Sequence, residues 1–134
     1  MAQFARPDSD VAVGTWTPTP LYEQIDEVTP SDVDYIESAK NPTNDTCEVG
    51  LSNVEDPEVS TGHIVRYRYK KDAAGGTVID LIAKLMQGVV EIASWTHNAI
   101  GDTIVQAEQT LTGPQADSIT DYTDLRLQFI ANAP

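Results

Sequence analysis

The sequence predicts an all-β domain: a β-sandwich or jelly roll with an extended N-terminal arm and one short helix near the C-terminus. Three observations carry that expectation. Short runs rich in β-branched and aromatic residues recur along the chain. Clusters of Gly, Pro, Asn and Asp separate them. A helix start stands out at one place, around Thr112. The chain has 134 residues, a length for one domain. A chain of that size buries roughly two-thirds of its unfolded surface and needs no cross-links to hold a core.

Residues 1–30 hold Pro7, Pro18, Pro20 and Pro30 and show no clear period. Proline fixes φ and removes a donor, so this segment is neither a helix nor a central strand. It reads as an extended arm, with residues 31–134 forming the sandwich. Phe4, Trp16, Leu21 and Tyr22 are its expected anchors, because large side chains gain most by burial. The arm packs either on its own domain or across a neighbouring subunit. Phe4, Arg6, Trp16, Leu21 and Tyr22 are therefore the candidate interface residues.

Residues 21–25 form a short helical turn or an edge strand. Residues 29–32, Thr-Pro-Ser-Asp, are a turn, and residues 33–36 a short strand. Residues 47–51 alternate apolar and polar, as a half-buried strand does. Residues 63–70 are the clearest strand, with Val65, Tyr67 and Tyr69 on one face and Ile64, Arg66, Arg68 and Lys70 mostly on the other. Residues 72–76 are a glycine-bearing loop. Residues 78–86 satisfy a strand face (Ile79, Leu81, Ala83, Leu85), while Ile79, Ile82, Met86 and Val89 fit a helix face. The β-branched run that follows, residues 89–96, favours a hairpin closed at Gln87-Gly88. Residues 103–111 are a further strand. Thr112, Pro114 and Gln115 are spaced as cap, first-turn proline and capping-box partner of a helix. The last strand, residues 125–130, turns Leu125, Leu127 and Phe129 inward.

Twenty-one acidic and eight basic residues give a net charge of −13. Such a surface repels phosphates, and nucleic acid is not an expected partner. No apolar run approaches the ~20 residues that span a bilayer, so no membrane partner is expected. The opening residues lack the apolar stretch of a signal peptide. Cys47 is the only cysteine and sits in a strand-like run, where it is expected as a small core residue.

Little in the chain points to catalysis. His63 and His97 have no metal-site spacing and are expected at strand ends or on the surface. No Gly-x-Ser-x-Gly and no phosphate-binding glycine loop occurs. Paired acids such as Asp8 with Asp10 or Asp32 with Asp34 follow from composition. Asp117, Asp121 and Asp124 are the best oxygen-ligand set for calcium, but solvation or capping is the better account of them. Tyr67, Tyr69, Trp95, Tyr122 and Phe129 either form core or line a sugar platform. The expectation is no enzyme, no catalytic residue, no cofactor and no metal.

Three groups of residues carry a resemblance. They are the opening residues 1–11 with Trp16-Thr17-Pro18, residues 65–72 with 92–97, and residues 115–127. Together they resemble a family of tailed-bacteriophage and prophage virion proteins, most of unassigned role. The chain departs from that pattern at residues 78–87, where Ile82, Ala83 and Met86 add apolar character. The resemblance implies a virion component with a sandwich or jelly-roll fold, and it carries over no catalytic or ligand residue.

The expected role is a decoration (cement) protein on the capsid surface. Its partners would be the major capsid protein and further copies of itself, as a trimer. A neck, tail or fibre-associated component and a carbohydrate-binding module are the alternatives. On the decoration reading, deleting residues 1–20 should abolish capsid binding and leave the sandwich folded.

Overall fold

The computed structural model describes residues 3–26, 33–73 and 76–134. The expected turn at residues 29–32, the arm's end at residue 30 and part of the loop at 72–76 lie outside them. The elements, in chain order, are β1 (Pro7–Ala12), a 3-10 turn (Tyr22–Gln24), β2 (Asp45–Leu51), β3 (Ile64–Tyr69), β4 (Asp80–Gln87), β5 (Val90–His97), β6 (Val105–Thr110), α1 (Gly113–Asp117) and β7 (Leu125–Asn132). The strands form two antiparallel sheets. The large one runs β1-β2-β7-β4-β5 and the small one pairs β3 with β6. The all-β expectation holds, with one short α-helix where it was placed.

The large sheet obeys period two. On β4, Leu81, Ala83 and Leu85 are buried and alternate with half-buried Ile82 and Lys84. The ambiguous run at residues 78–86 is thus a strand from Asp80 onward, with Val78 and Ile79 outside it. Across the sheet, Cys47, Phe129, Ala83 and Trp95 share one row of the inner face. Three core clusters lie along that face. Leu85, Ile92, Ala93 and Leu125 meet Ala116 and Ile119, so α1 covers one end. Ala83 meets Tyr67 and Ala107 of the small sheet in the middle. Trp16 and Leu21 cover the other end, against Cys47, Val49, Leu81 and Ala131. Two facing alanines in the middle leave room for the Tyr67 ring between the sheets.

Local chemistry explains the turns. The β4–β5 hairpin closes one residue later than expected, on Gly88-Val89, because Gln87 pairs with Val90 and Gly88 takes φ +57°. A bulge between Leu85 and Met86 in the same hairpin leaves Ile92 and Ala93 both buried. The helix has its full capping box. The Thr112 hydroxyl accepts from the Gln115 N–H, and the Gln115 carboxamide accepts from the Thr112 N–H.

One expected strand is absent. Residues 33–36 are irregular, with Val33 85% and Tyr35 57% exposed. Only Ile36 turns inward, partly buried against the Trp16–Leu21 cluster, and among the described residues the pairing here is limited to a single bridge, Thr17 with Glu37.

Candidate functional site

The five residues expected at an interface divide into two groups. Trp16 is 7% exposed and Leu21 is fully buried, both in the protein's own core. They are corrected from interface residues to core residues, because no surface of theirs is left for a partner. Phe4 is 59% exposed, and the Arg6 guanidinium lies 5.0 Å from its ring centre. Arg6 and Tyr22 are half-buried. Phe4 is therefore the arm residue most available to a partner.

The arm is tied down by carboxylates. Asp10 accepts from the backbone N–H of Leu21 (2.8 Å) and of Tyr22 (2.9 Å), which closes the Pro-rich loop over β1. Asp45 accepts from the Thr15 N–H (3.1 Å), the Thr15 hydroxyl and the Ala39 N–H (3.1 Å). Burial alone would raise the Asp45 pKa. The Thr15 and Ala39 hydrogen bonds outweigh it and hold the carboxyl below its ordinary range. Trp16 Nε1 donates to the Asp45 carbonyl at 3.0 Å. Gly14 has φ +57°, and a Cβ there would sit 2.4 Å from the Thr46 carbonyl oxygen. The prolines sit where they do least harm. Pro7 opens β1, an edge strand broken by two register shifts. Residues 7–25 are thus part of the sandwich.

The two histidines are half-buried at strand ends and bound to tyrosines. His63 Nε2 lies 2.8 Å from the Tyr122 hydroxyl. His97 joins the sheets: Nε2 is 2.6 Å from the Tyr67 hydroxyl and Nδ1 is 3.0 Å from the Tyr69 hydroxyl. Gln109 Nε2 donates to the Tyr67 oxygen at 3.3 Å, and neutral His97 donates through one ring nitrogen and accepts through the other, bridging the two tyrosines. Burial pushes the His97 pKa below its ordinary 6.5 and the Tyr67 pKa above 10.0. The fold thus favours neutral His97. As pH falls, the unfolded chain takes up the proton first. This stability is complete above about pH 6.5 and is lost as pH falls through the folded-state value. The unfolding midpoint should therefore drop between about pH 7.5 and about pH 5, and His97→Gln should flatten that drop in thermal scans. Equal slopes for the two proteins would refute the assignment.

Tyr67, Tyr69, Trp95 and Phe129 lie between the sheets, with the Tyr67 ring 6.0 Å from Phe129 and 6.5 Å from Trp95. They are placed as core. Cys47 is fully buried, and burial pushes its thiol up to about 12. Among the described residues, no group of three or more His, Cys, Asp or Glu is placed to hold a metal. Asp121 turns back onto the N–H (2.9 Å) and hydroxyl (2.5 Å) of its near neighbour Thr123. Asp124 lies 3.3 Å from Arg126. Among the same residues, no helix is long and apolar enough to cross a membrane.

Two features went unseen in the sequence. Asp10 and Asp45 staple the arm through partners 11 to 30 residues away, and no local pattern marks such bonds. The other is where the strand face carrying Arg66 and Arg68 points. The alternation was readable, but its outward direction required the second sheet. Comparison with protein-family models, with curated proteins and with solved structures gave no match.

Proposed function

We propose that this chain is a structural protein of a tailed-phage particle, most specifically a capsid decoration protein that binds the assembled head and stabilises it. What supports this reading is where the resembling stretches fall. Residues 1–11 with Trp16-Thr17-Pro18, residues 65–72, 92–97 and 115–127 include most of β1, β3 and β5, the end of α1 and the start of β7. They build the framework and its edges. A family likeness held in the framework suits a protein whose work is to present surfaces. A binder of this kind stabilises the lattice by mass action. A neck, tail or fibre position remains the second reading within the same class.

Particles produced by the genome that encodes the chain provide the test. A quantified protein gel should show it at hundreds of copies per particle. A dozen copies or fewer would move the assignment to the neck or tail. Absence from purified particles would overturn the virion role.

A further inference from the structure

We propose that the free edge of β6 pairs with the same edge of a second copy of this chain, antiparallel, about a two-fold axis at Ala107. The contact rests on the geometry of the small sheet and needs no virion. The two sheets leave four edges: β1 and β5 on the large sheet, β3 and β6 on the small one. Natural proteins blunt such edges with proline, bulges, basic side chains or a covering element. β1 opens on Pro7, has two register shifts, and its Asp10 holds the amides of Leu21 and Tyr22 over it. β5 is bulged opposite Leu85 and Met86, and α1 packs at its Ile92 and Ala93. β3 carries Arg66 and Arg68. β6 has none of these guards. Val105–Thr110 contains no proline and no basic residue, and its register with β3 is unbroken. A two-stranded sheet is also the least stable sheet unit, and an added strand extends it.

The residues of β6 point to the same strand as its partner. The Leu111 N–H donates to the His63 carbonyl at 2.8 Å. Antiparallel ladders alternate bonded and non-bonded pairs. Val105, Ala107 and Gln109 therefore bond to β3, and the main chains of Gln106, Glu108 and Thr110 face the free edge. Among the described residues, those outward groups have no backbone partner, and the three side chains are exposed. A second β6 can meet them in two central registers. Centring on Glu108 sets two carboxylates opposite each other, which destabilises the pair. Centring on Ala107 bonds Gln106 to the partner's Glu108, and Glu108 to the partner's Gln106. The side chains suit that register. Gln106 Oε1 accepts from Arg68 and Glu108 Oε2 pairs with Arg66. Gln106 Nε2 is thus left to donate to Oε1 of the partner's Glu108. Val105, 43% exposed, gains cover opposite the partner's Gln109. Such a contact is isologous and closed, so it gives a dimer and not a trimer.

The test is sedimentation velocity on the purified full chain over a concentration series. A monomer–dimer equilibrium should appear. Each copy carries −13, so association should strengthen from low salt to about 0.15 M, where the Debye length is about 8 Å. Gln106→Pro removes an N–H that only the partner uses, and should weaken the dimer at least tenfold with an unchanged circular dichroism spectrum. Gln106→Glu sets like charges opposite each other and should weaken it at least threefold. Gln106→Cys mixed with Glu108→Cys should give a disulfide-linked dimer on oxidation, faster than either variant alone, because only the Ala107-centred register sets the two residues opposite. A folded Gln106→Pro protein that dimerises like wild type, or no preferential cross-link in the mixture, would overturn the proposal. A wild type monomeric at every concentration overturns self-pairing and leaves the edge to an extended strand of a different protein. Because no particle enters these experiments, their failure is distinct from failure of the decoration role.

Discussion

Deleting residues 3–20 is expected to leave no folded protein, and Leu21→Ala alone to lower stability by about 2–5 kcal/mol. The deletion removes β1 and with it the cover of β2, along with Trp16 and the Asp10 carboxylate that positions the Leu21 and Tyr22 amides. Leu21 is fully buried between Trp16, Cys47, Val49, Leu81 and Ala131. Its truncation opens a cavity lined by β2, β4 and β7, which the hydrogen-bonded backbone of these paired strands cannot collapse to fill. A domain of this kind holds only about 5–15 kcal/mol, so the loss is a large share of the total. Thermal unfolding followed by circular dichroism reads it directly. Phe4→Ala, at a site 59% exposed, is the control and should stay within about 0.5 kcal/mol. A Leu21→Ala protein that melts with wild type would show that the arm is not core. The sequence reading expects the sandwich to stay folded after this deletion; the burial of Trp16 and Leu21 in its core leads to the opposite expectation.

The second large effect lies on the opposite face of the same sheet. Glu48 is 8% exposed on β2, and its carboxylate accepts from Arg126 Nη1 at 3.2 Å and Gln128 Nε2 at 2.8 Å. Removing the guanidinium leaves a nearly buried carboxylate with one amide donor. Arg126→Met should therefore cost about 1–3 kcal/mol, below the range for fully buried pairs because Arg126 keeps some solvent and Gln128 remains. Glu48→Leu/Arg126→Met should recover most of that loss, since no charge is then stranded. Urea unfolding of the two variants checks both signs. A double variant no more stable than the single one would show that the pair stabilises by more than mutual neutralisation.

Much of the fold was legible in the sequence because period-two burial writes itself into residue order. Val65, Tyr67 and Tyr69, and Leu125, Leu127 and Phe129, face inward as their alternation requires. The Thr112 capping box was equally local. The failures share a cause. Residues 33–36 alternate like a strand, yet only Ile36 reaches apolar surface and none of them pairs with a strand among the described residues. Trp16 and Leu21 sit in a proline-rich stretch without period, and what makes them core is contact with Val49, Leu81 and Ala131, far along the chain. Proline content reported correctly that the arm joins no sheet centre. It carried no information on whether the arm closes the core. Of the candidate interface, Phe4 and Arg6 kept accessible surface, and the basic face of β3 was visible as alternation before its outward direction was known.

The order of the large sheet has a consequence for biosynthesis. Its central strand, β7, is made after the other four, and it joins β2 to β4 through partners such as Asp45 with Ala131 and Leu81 with Ala131. A growing chain can close the β4–β5 hairpin early, but β2 and β4 then both present open edges with nothing between them. Such edges invite pairing with other chains. Until residue 132 has been added, the two halves of the core have no shared strand. A chain that lacks β7 is therefore expected to be open to proteolysis and aggregation.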